Sequence, residues 1–132
     1  MDTTVSLDWN EAAVRERLTR ELLLRTRIAT DYVWSTTRDN INVPVVRDNR
    51  GNVERSSPGE FPRRDTGLLQ NTLAQFTYVA NNEIVGVVQS VEDYAPPLES
   101  GTEKMEPRSF LRRTLLETRV MIRQMIVGRK IR

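Results

Sequence analysis

The alternation of apolar and polar positions predicts a long amino-terminal helix. Over residues 9–36 apolar side chains recur at helical spacing, and Asp8 followed by Glu11 has the form of a capping box. The predicted apolar side consists of Val14, Leu18, Leu22, Leu24, Ile28, Ala29 and Tyr32. Glu21 and Arg25 interrupt that side, which indicates a second contact surface. The simpler interpretation is that the helix covers a sheet.

Residues 41–64 lack this periodicity and predict an extended hairpin or loop arm. Two short apolar stretches, 43–46 and 52–54, flank the turn sequence 48–51. Pro44 restricts such a hairpin to the edge of a sheet. The alternative is a flexible arm that becomes ordered only within an assembly. The next residues, 56–62, contain two prolines and one glycine and predict irregular structure.

The middle of the chain predicts a short helix followed by a second hairpin. Asp65 or Thr66 can cap the short helix, whose apolar residues are Leu68, Leu69 and Leu73. Two β-rich runs, 76–79 and 84–88, then surround a pair of asparagines at 81–82, which is typical of a β-hairpin. Gly86 within the second run indicates either a bulge or a close approach of another backbone.

The last third predicts one helical turn and a final helix. Residues 94–101 place two prolines where missing amide donors cost little, and Gly101 can end the turn in a left-handed conformation. The final helix is predicted from Pro107 or Arg108 to Val127, with Gly128 as its stop. Its predicted apolar face is Leu111, Leu115, Thr118, Ile122 and Met125, widened by Phe110, Met121 and Ile126.

These elements predict an α+β fold in which the first and last helices pack on a small antiparallel sheet. The 132 residues fit a single domain, 1–132, with a flexible amino terminus at 1–7, the extended arm at 41–64 and a basic tail at 128–132. The acidic start differs from a secretory leader, and no apolar run is long enough to predict a membrane span.

Composition argues against catalysis. The chain has neither cysteine nor histidine, so thiolate metal sites, disulfides and the usual general base are missing. Carboxylate spacing does not match a calcium loop, and no glycine-rich phosphate loop is present. We therefore expect no enzyme activity, no cofactor and no bound metal.

The charge of the chain is nearly balanced, at +2, but its distribution is uneven. Eighteen of the twenty cations are arginine, and residues 103–132 carry nine cations against three acids. Such a basic end can contact phosphate, pair with acids of a neighbouring subunit, or simply form a solvated helix face.

Three segments in order resemble the neck and tail-completion proteins of tailed bacteriophages. They are SPGEFPRRDTGL at 57–68, YAPPLESGT at 94–102 and KMEPRSFL at 104–111, with the predicted hairpin between the first two. The likeness covers about half of the chain. Ser109 stands where that family often has proline.

The resemblance implies a homo-oligomeric ring in the virion, at the neck or tail, assembled in the host cytoplasm. Its implied neighbours are head-completion or adaptor proteins and tail-terminator or tail-tube proteins. DNA would pass through its lumen without sequence-specific binding. The residues implied at subunit contacts are Arg63, Arg64, Asp65, Thr66, Gly67, Tyr94, Glu99, Gly101, Thr102, Arg108 and Phe110. For Thr66, Gly67 and Gly101 the alternative is a role in capping helices.

Two other functions stay open at this point. The first is a tail-terminator ring, which is built from similar α+β subunits. The second is an arginine-rich nucleic-acid-binding module that uses the final helix as its contact surface.

Overall fold

A long helix organises the chain in the computed structural model, which describes residues 3, 4, 6 and 8–128. The remaining residues of the predicted flexible terminus and residues 129–132 of the predicted tail lie outside this description. In chain order the elements are α1 (Glu11–Asn40), β1 (Val46–Arg47), β2 (Val53–Glu54), α2 (Leu68–Asn71), β3 (Leu73–Ala80), β4 (Glu83–Ser90), α3 (Ala95–Ser100) and α4 (Leu111–Val127).

The fold is α+β, as the sequence predicts. Helix α1 packs against α4 and against the antiparallel hairpin of β3 and β4. The two helices run antiparallel, because Asn40 Nδ2 donates to Thr114 Oγ1 at 3.1 Å near one end and Arg25 Nη1 donates to the Ile126 carbonyl at 3.2 Å near the other.

The bounds of α1 differ from the prediction at both ends. Its cap is Asn10, whose Oδ1 accepts from the Ala13 amide at 3.1 Å, so the predicted Asp8 capping box is wrong. The helix also continues four residues beyond Thr36, to Asn40. Thr37 makes this extension favourable, because its hydroxyl donates to the Val33 carbonyl at 2.7 Å and its side chain is fully buried.

Threonines, rather than the predicted leucines, form much of the buried surface of the helices. The residues of α1 that are buried are Thr26, Ala29, Thr30, Val33 and Thr37. By contrast Leu18, Leu24 and Ile28 are 53–58% exposed, and of the predicted apolar face of α1 only Ala29 is buried and only Tyr32 is half-buried, so the prediction is wrong for the rest. On α4 the buried residues are Thr114 and Thr118; Thr118 is as predicted, whereas Leu115 is 53% exposed.

The buried hydroxyls are satisfied within their own helices. Thr26, Thr30 and Thr37 each donate to the carbonyl four residues earlier, at 2.7–2.8 Å, and Thr118 does the same to Thr114 on α4. Burial of these side chains therefore leaves no hydroxyl donor unpaired, which removes most of its usual cost.

The hairpin of β3 and β4 confirms the prediction around Asn81 and Asn82. Both asparagines have positive φ, 50° and 61°, as a two-residue type I′ turn requires. Pairing is continuous from Leu73↔Ser90 to Ala80↔Glu83, so Gly86 does not form a bulge. A Cβ at Gly86 would lie 1.9 Å from Thr30 Oγ1, so a close approach exists as predicted, but it is to a threonine side chain of α1 and not to another backbone.

The predicted arm contains a short hairpin of β1 and β2, which pair as Val46↔Glu54 and Arg47↔Val53. Pro44 forms a parallel bridge with Arg64 at the base of this hairpin, as expected of a proline at a sheet edge. We call residues 43–54 the arm.

The connecting segments correct three further boundaries. Leu73 begins β3 and is not part of α2. Gly101 has a positive φ of 75° but an extended ψ of 174°, so the predicted left-handed end of α3 is wrong. Helix α4 begins at Leu111, later than Pro107 or Arg108, and its predicted stop at Gly128 is confirmed by a left-handed φ of 73° and ψ of 23°.

The apolar core lies where these connections meet the end of α1. Its buried members are Ile41, Leu73, Ala95 and Phe110. Trp34 borders them and donates from Nε1 to the Leu73 carbonyl at 3.0 Å, which ties α1 to the start of β3. The core therefore supports the loops around α2 and α3.

Candidate functional site

An open cleft of about 530 Å³ lies beside α2 and α3, and we call it the arginine cleft. Its walls come from four parts of the chain: residues 41 and 45, the segment 55–70, helix α3 with Tyr94, and the connection 105–108. The predicted contact residues that line it are Arg63, Arg64, Asp65, Thr66, Gly67, Tyr94 and Arg108. Residues 40 or more positions apart in the chain therefore meet at one site.

Positive charge dominates the arginine cleft. Four arginines line it, at 55, 63, 64 and 108, against one acid, Asp65. That acid is already paired, because Arg47 approaches it at 2.6 Å and Arg55 at 3.7 Å. Arg63 lies 3.9 Å from two carboxylates outside the cleft, too far for strong pairs. The cleft thus offers guanidinium groups in excess of its acids.

Backbone pairing fixes the position of Arg64. Its amide donates to the Val43 carbonyl at 2.7 Å, and its own carbonyl accepts from the Val45 amide at 3.0 Å. The side chain of Arg64 is exposed and forms no ion pair with any residue in the described part of the chain. A rigid backbone therefore presents a free cation, which suits recognition of a carboxylate.

Arg108 and Tyr94 add hydrogen-bond donors. The Arg108 amide donates to the Leu98 carbonyl at 2.7 Å, and its Nε is buried without a hydrogen-bond partner among the residues described. An incoming acceptor would satisfy that donor after a small shift of the guanidinium. Burial, followed by the charge of Glu92, raises the pKa of the Tyr94 phenol, so it stays protonated at neutral pH.

The rest of the cleft is apolar. Its apolar lining consists of Ile41, Val45, Pro62, Leu68, Leu69, Pro97, Leu98 and Met105. Cations beside such a surface fit a peptide segment that carries both an acidic and an apolar side chain. Arg55 was missed by the sequence analysis, because it stands in no pattern that predicts proximity to the others, whereas Met105 lies within the phage-like segment 104–111 but was not singled out as a contact residue.

The loop before the cleft is held by α4. Arg113 Nη1 donates to the Gly59 carbonyl at 2.8 Å, and the guanidinium lies 4.1 Å from the centre of the Phe61 ring. These contacts fix the turn at 57–61 against the helix, so the segment is ordered despite its prolines.

The four other predicted contact residues do not line the cleft and have structural roles. Phe110 is fully buried in the core, so its assignment to an interface is wrong. Thr102 bridges to Met105 through amide–carbonyl bonds of 2.7 and 3.3 Å. A Cβ at Gly101 would lie 2.9 Å from the Met105 carbonyl oxygen and from Pro107, so glycine is required there.

Glu99 caps α4 and is not free to pair with a neighbour as predicted. Its Oε1 accepts from Ser109 Oγ at 2.7 Å and the Arg112 amide at 2.8 Å. Its Oε2 accepts from the amides of Phe110 and Leu111, each at 3.0 Å. Burial raises the pKa of this carboxyl, but the four hydrogen bonds outweigh burial and hold the pKa below its ordinary value.

A separate basic row lies on α4. Arg112, Arg119 and Arg123 are exposed, and their spacing of seven and four residues places them on one side of the helix. None of the three pairs with an acid in the described residues, whereas Arg113 pairs with Glu117 at 2.9 Å.

Comparisons with protein-family models, with curated proteins and with solved structures gave no match to this chain. Within residues 3, 4, 6 and 8–128 no helix is both long and apolar enough to cross a membrane. Across the same residues no three acidic side chains come together as a potential metal site.

Proposed function

We propose that this chain is a structural subunit of a bacteriophage neck or tail-completion ring, which joins the DNA-filled head to the tail. The observation that carries the proposal is the convergence of the three phage-like segments. Segments 57–68, 94–102 and 104–111 are separate in sequence but meet around the arginine cleft and its supporting turn.

The chemistry of the cleft supports adhesion to a neighbouring protein. Its arginines exceed its acids, and an apolar surface lies beside them. In such an arrangement, guanidinium–carboxylate pairs give orientation and apolar burial gives affinity. The neighbour is another copy in the ring or an adjoining head-completion, adaptor, tail-terminator or tail-tube protein.

Exposed apolar side chains also support an assembled state. Leu18, Leu24 and Ile28 on α1, with Leu116 and Val120 on α4, are each more than half exposed. Extended apolar surface of this kind is typical of a protein interface. The ring would lie in the neck or tail of the virion, around DNA that it does not read. A tail-terminator ring is the close alternative, because the same surfaces serve it equally.

Charge reversal in the cleft tests the proposal. We expect the wild-type protein to form closed rings by native mass spectrometry and negative-stain electron microscopy. Arg64→Glu should prevent ring formation, because it adds an acid where an acid is to be bound. Arg27→Glu is the matched control, since Arg27 is exposed on α1 and does not line the cleft. A wild-type protein that stays monomeric at high concentration would refute the proposal.

The basic row on α4 favours one other function, a nucleic-acid-binding module. Three unpaired arginines on one face would neutralise about three phosphates, so log Kd should change with log salt with a slope of about 3. Fluorescence anisotropy with duplex DNA measures this slope. Tight binding by a monomer, lost in Arg119→Glu/Arg123→Glu, would replace the ring proposal.

A further inference from the structure

A second and larger depression, of about 960 Å³, lies between β4 and α4 with α1 as its floor, and we call it the β4–α4 groove. Its walls are mainly apolar and include Leu22, Ile84, Val88, Leu115, Ile122 and Ile126, although Arg15, Asn82 and Arg112 also line it. None of these residues lines the arginine cleft. The groove is therefore an independent surface.

The groove exists because the sheet is narrower than the helical layer. Two helices side by side make a layer about 20 Å wide, since each is about 10 Å across. Two strands about 4.8 Å apart cover only about half of that width. The β3–β4 hairpin packs on α1, so no strand of the described residues lies above the side of α4 that carries Leu115, Ile122 and Ile126. The space corresponds to two further strands.

The edge of β4 that borders this space has unpaired backbone groups. The type I′ turn makes Ala80↔Glu83 a hydrogen-bonded pair, so Val85 and Val87 also point their amides and carbonyls towards β3. The intervening residues, 84, 86 and 88, direct theirs into the groove. No backbone hydrogen bond in the described chain reaches these three residues from outside the hairpin.

We propose that the arm of a second copy fills the β4–α4 groove and pairs with β4, which extends the sheet to four strands. A strand satisfies the free amides and carbonyls of β4, whereas a helix in the same groove would bury them unpaired. The arm is a two-stranded hairpin and so matches the missing width.

The arm has the properties that this pairing needs. Val43 and Val46 are each 55% exposed, so the arm carries apolar side chains that its own chain does not cover. The backbone of β2 bonds to nothing outside the arm among the residues described, which leaves its outer edge available. Arm and groove are different surfaces of one chain. Their contact is therefore heterologous and repeats from copy to copy, as a ring requires.

This inference deepens the proposed function and rests on its self-association. Because the chain has no cysteine, introduced pairs report contacts without background. We would combine Val87→Cys with Asn52→Cys, Val53→Cys or Glu54→Cys in turn, and oxidise with copper phenanthroline. Val87 is chosen because its backbone hydrogen bonds go to β3, so it would form a non-hydrogen-bonded pair with the added strand. Side chains lie closest together in such pairs, which favours a disulfide. We expect at least one pair to give covalent dimers and longer ladders on non-reducing gels.

Two matched controls make the result decisive. Phe76→Cys is directly opposite Val87 on β3, one strand farther from the groove, and should not cross-link to the arm. Leu115→Asp should lower the oligomer size measured by light scattering, while Val91→Asp should not. The two side chains are 53% and 65% exposed, but only Leu115 lines the groove.

The outcomes separate this inference from the proposed function. Strand pairing would be overturned by any of three results: rings that form without arm cross-links, cross-linking from Phe76→Cys equal to that from Val87→Cys, or equal effects of the two aspartate substitutions. Each of these results would leave the ring proposal standing. A wild-type protein that is only monomeric would overturn both.

Discussion

Replacing Glu99 with glutamine tests the contact that joins α3 to α4. The carboxylate accepts one hydroxyl and three amide hydrogen bonds, so both of its oxygens are used fully. Glutamine keeps one oxygen, which can still accept hydrogen bonds from the amides of Phe110 and Leu111. Its NH₂ group would then face the Arg112 amide, and because both groups are donors that hydrogen bond is lost. The Ser109 hydroxyl can rotate and accept from the NH₂ group instead.

The cost follows from these losses. The substitution removes the hydrogen bond from the Arg112 amide and the negative charge that strengthens the remaining hydrogen bonds. We expect this to lower the free energy of unfolding by about 1–2 kcal/mol, because the group is half-buried. For a chain of this length that lowers Tm by about 3–5 °C per kcal/mol. Urea unfolding followed by circular dichroism measures the change in free energy directly. Glu103→Gln is the matched control, because Glu103 is exposed and caps nothing in the described structure.

Acid should remove the difference between wild type and Glu99→Gln. The folded pKa of Glu99 lies below its ordinary value of 4.5, so its contribution is complete above about pH 4.5. As the pH falls through the folded pKa, the carboxylate is protonated and this stabilisation is lost. An effect no larger than that of Glu103→Gln at pH 7, or a difference independent of pH down to acid unfolding, would refute the capping role.

Three further substitutions probe packing and turns. Gly86→Ala should lower the free energy of unfolding by about 1–3 kcal/mol in urea, because its Cβ would collide with Thr30 Oγ1. Adding Thr30→Ala in the same chain should restore part of this loss, and effects of the two substitutions that simply add would contradict the collision. Asn82→Gly should stabilise by about 0.5 kcal/mol in thermal unfolding, because glycine adopts its φ of 61° without strain, and a fall in Tm would argue against the turn. Arg25→Ala should cost about 1 kcal/mol through the lost bond to the last turn of α4, and chemical denaturation should show no change if that contact is absent.

Elements with strong local signals were predictable from the sequence. The Asn81–Asn82 turn between β-rich runs specifies its hairpin locally, and positive φ at both residues explains why. The stop of α4 at Gly128 has the same local origin. By contrast, the end of α1 was predicted four residues early, because Thr37 lowers helix propensity yet is held by tertiary burial.

The buried faces of the helices were not predictable from apolar periodicity. Thr26, Thr30 and Thr118 count as polar in any such pattern, but each hydroxyl bonds within its helix and the side chain then packs as a small apolar group. Leu18 and Leu24 count as apolar yet remain exposed. Periodicity thus located an apolar surface of α1, but that surface is not the one that packs within this chain.

Most of the charged residues that line the arginine cleft were predictable from the sequence, but the way they come together in space was not. The phage-like segments already contained Arg63, Arg64, Tyr94 and Arg108, all of which line it. Their convergence depends on the packing of α2 and α3 on the end of α1, which no local pattern specifies. The capping of α4 by Glu99 was not predictable for the same reason. A cap that comes from a preceding helix has no fixed spacing in the sequence from the helix that it caps.

The small, threonine-rich core has a thermodynamic consequence. Across residues 3, 4, 6 and 8–128 six apolar residues besides Pro62 are buried, and of these six just Phe110 and Ile41 are large and fully enclosed. In the proposed ring, the neighbouring copies would cover exposed leucines and valines and add to the stability of each copy. Folding and association would then be one linked equilibrium, so under this proposal the melting temperature should rise with protein concentration. Dilution alone would act on such an assembly as a mild denaturant.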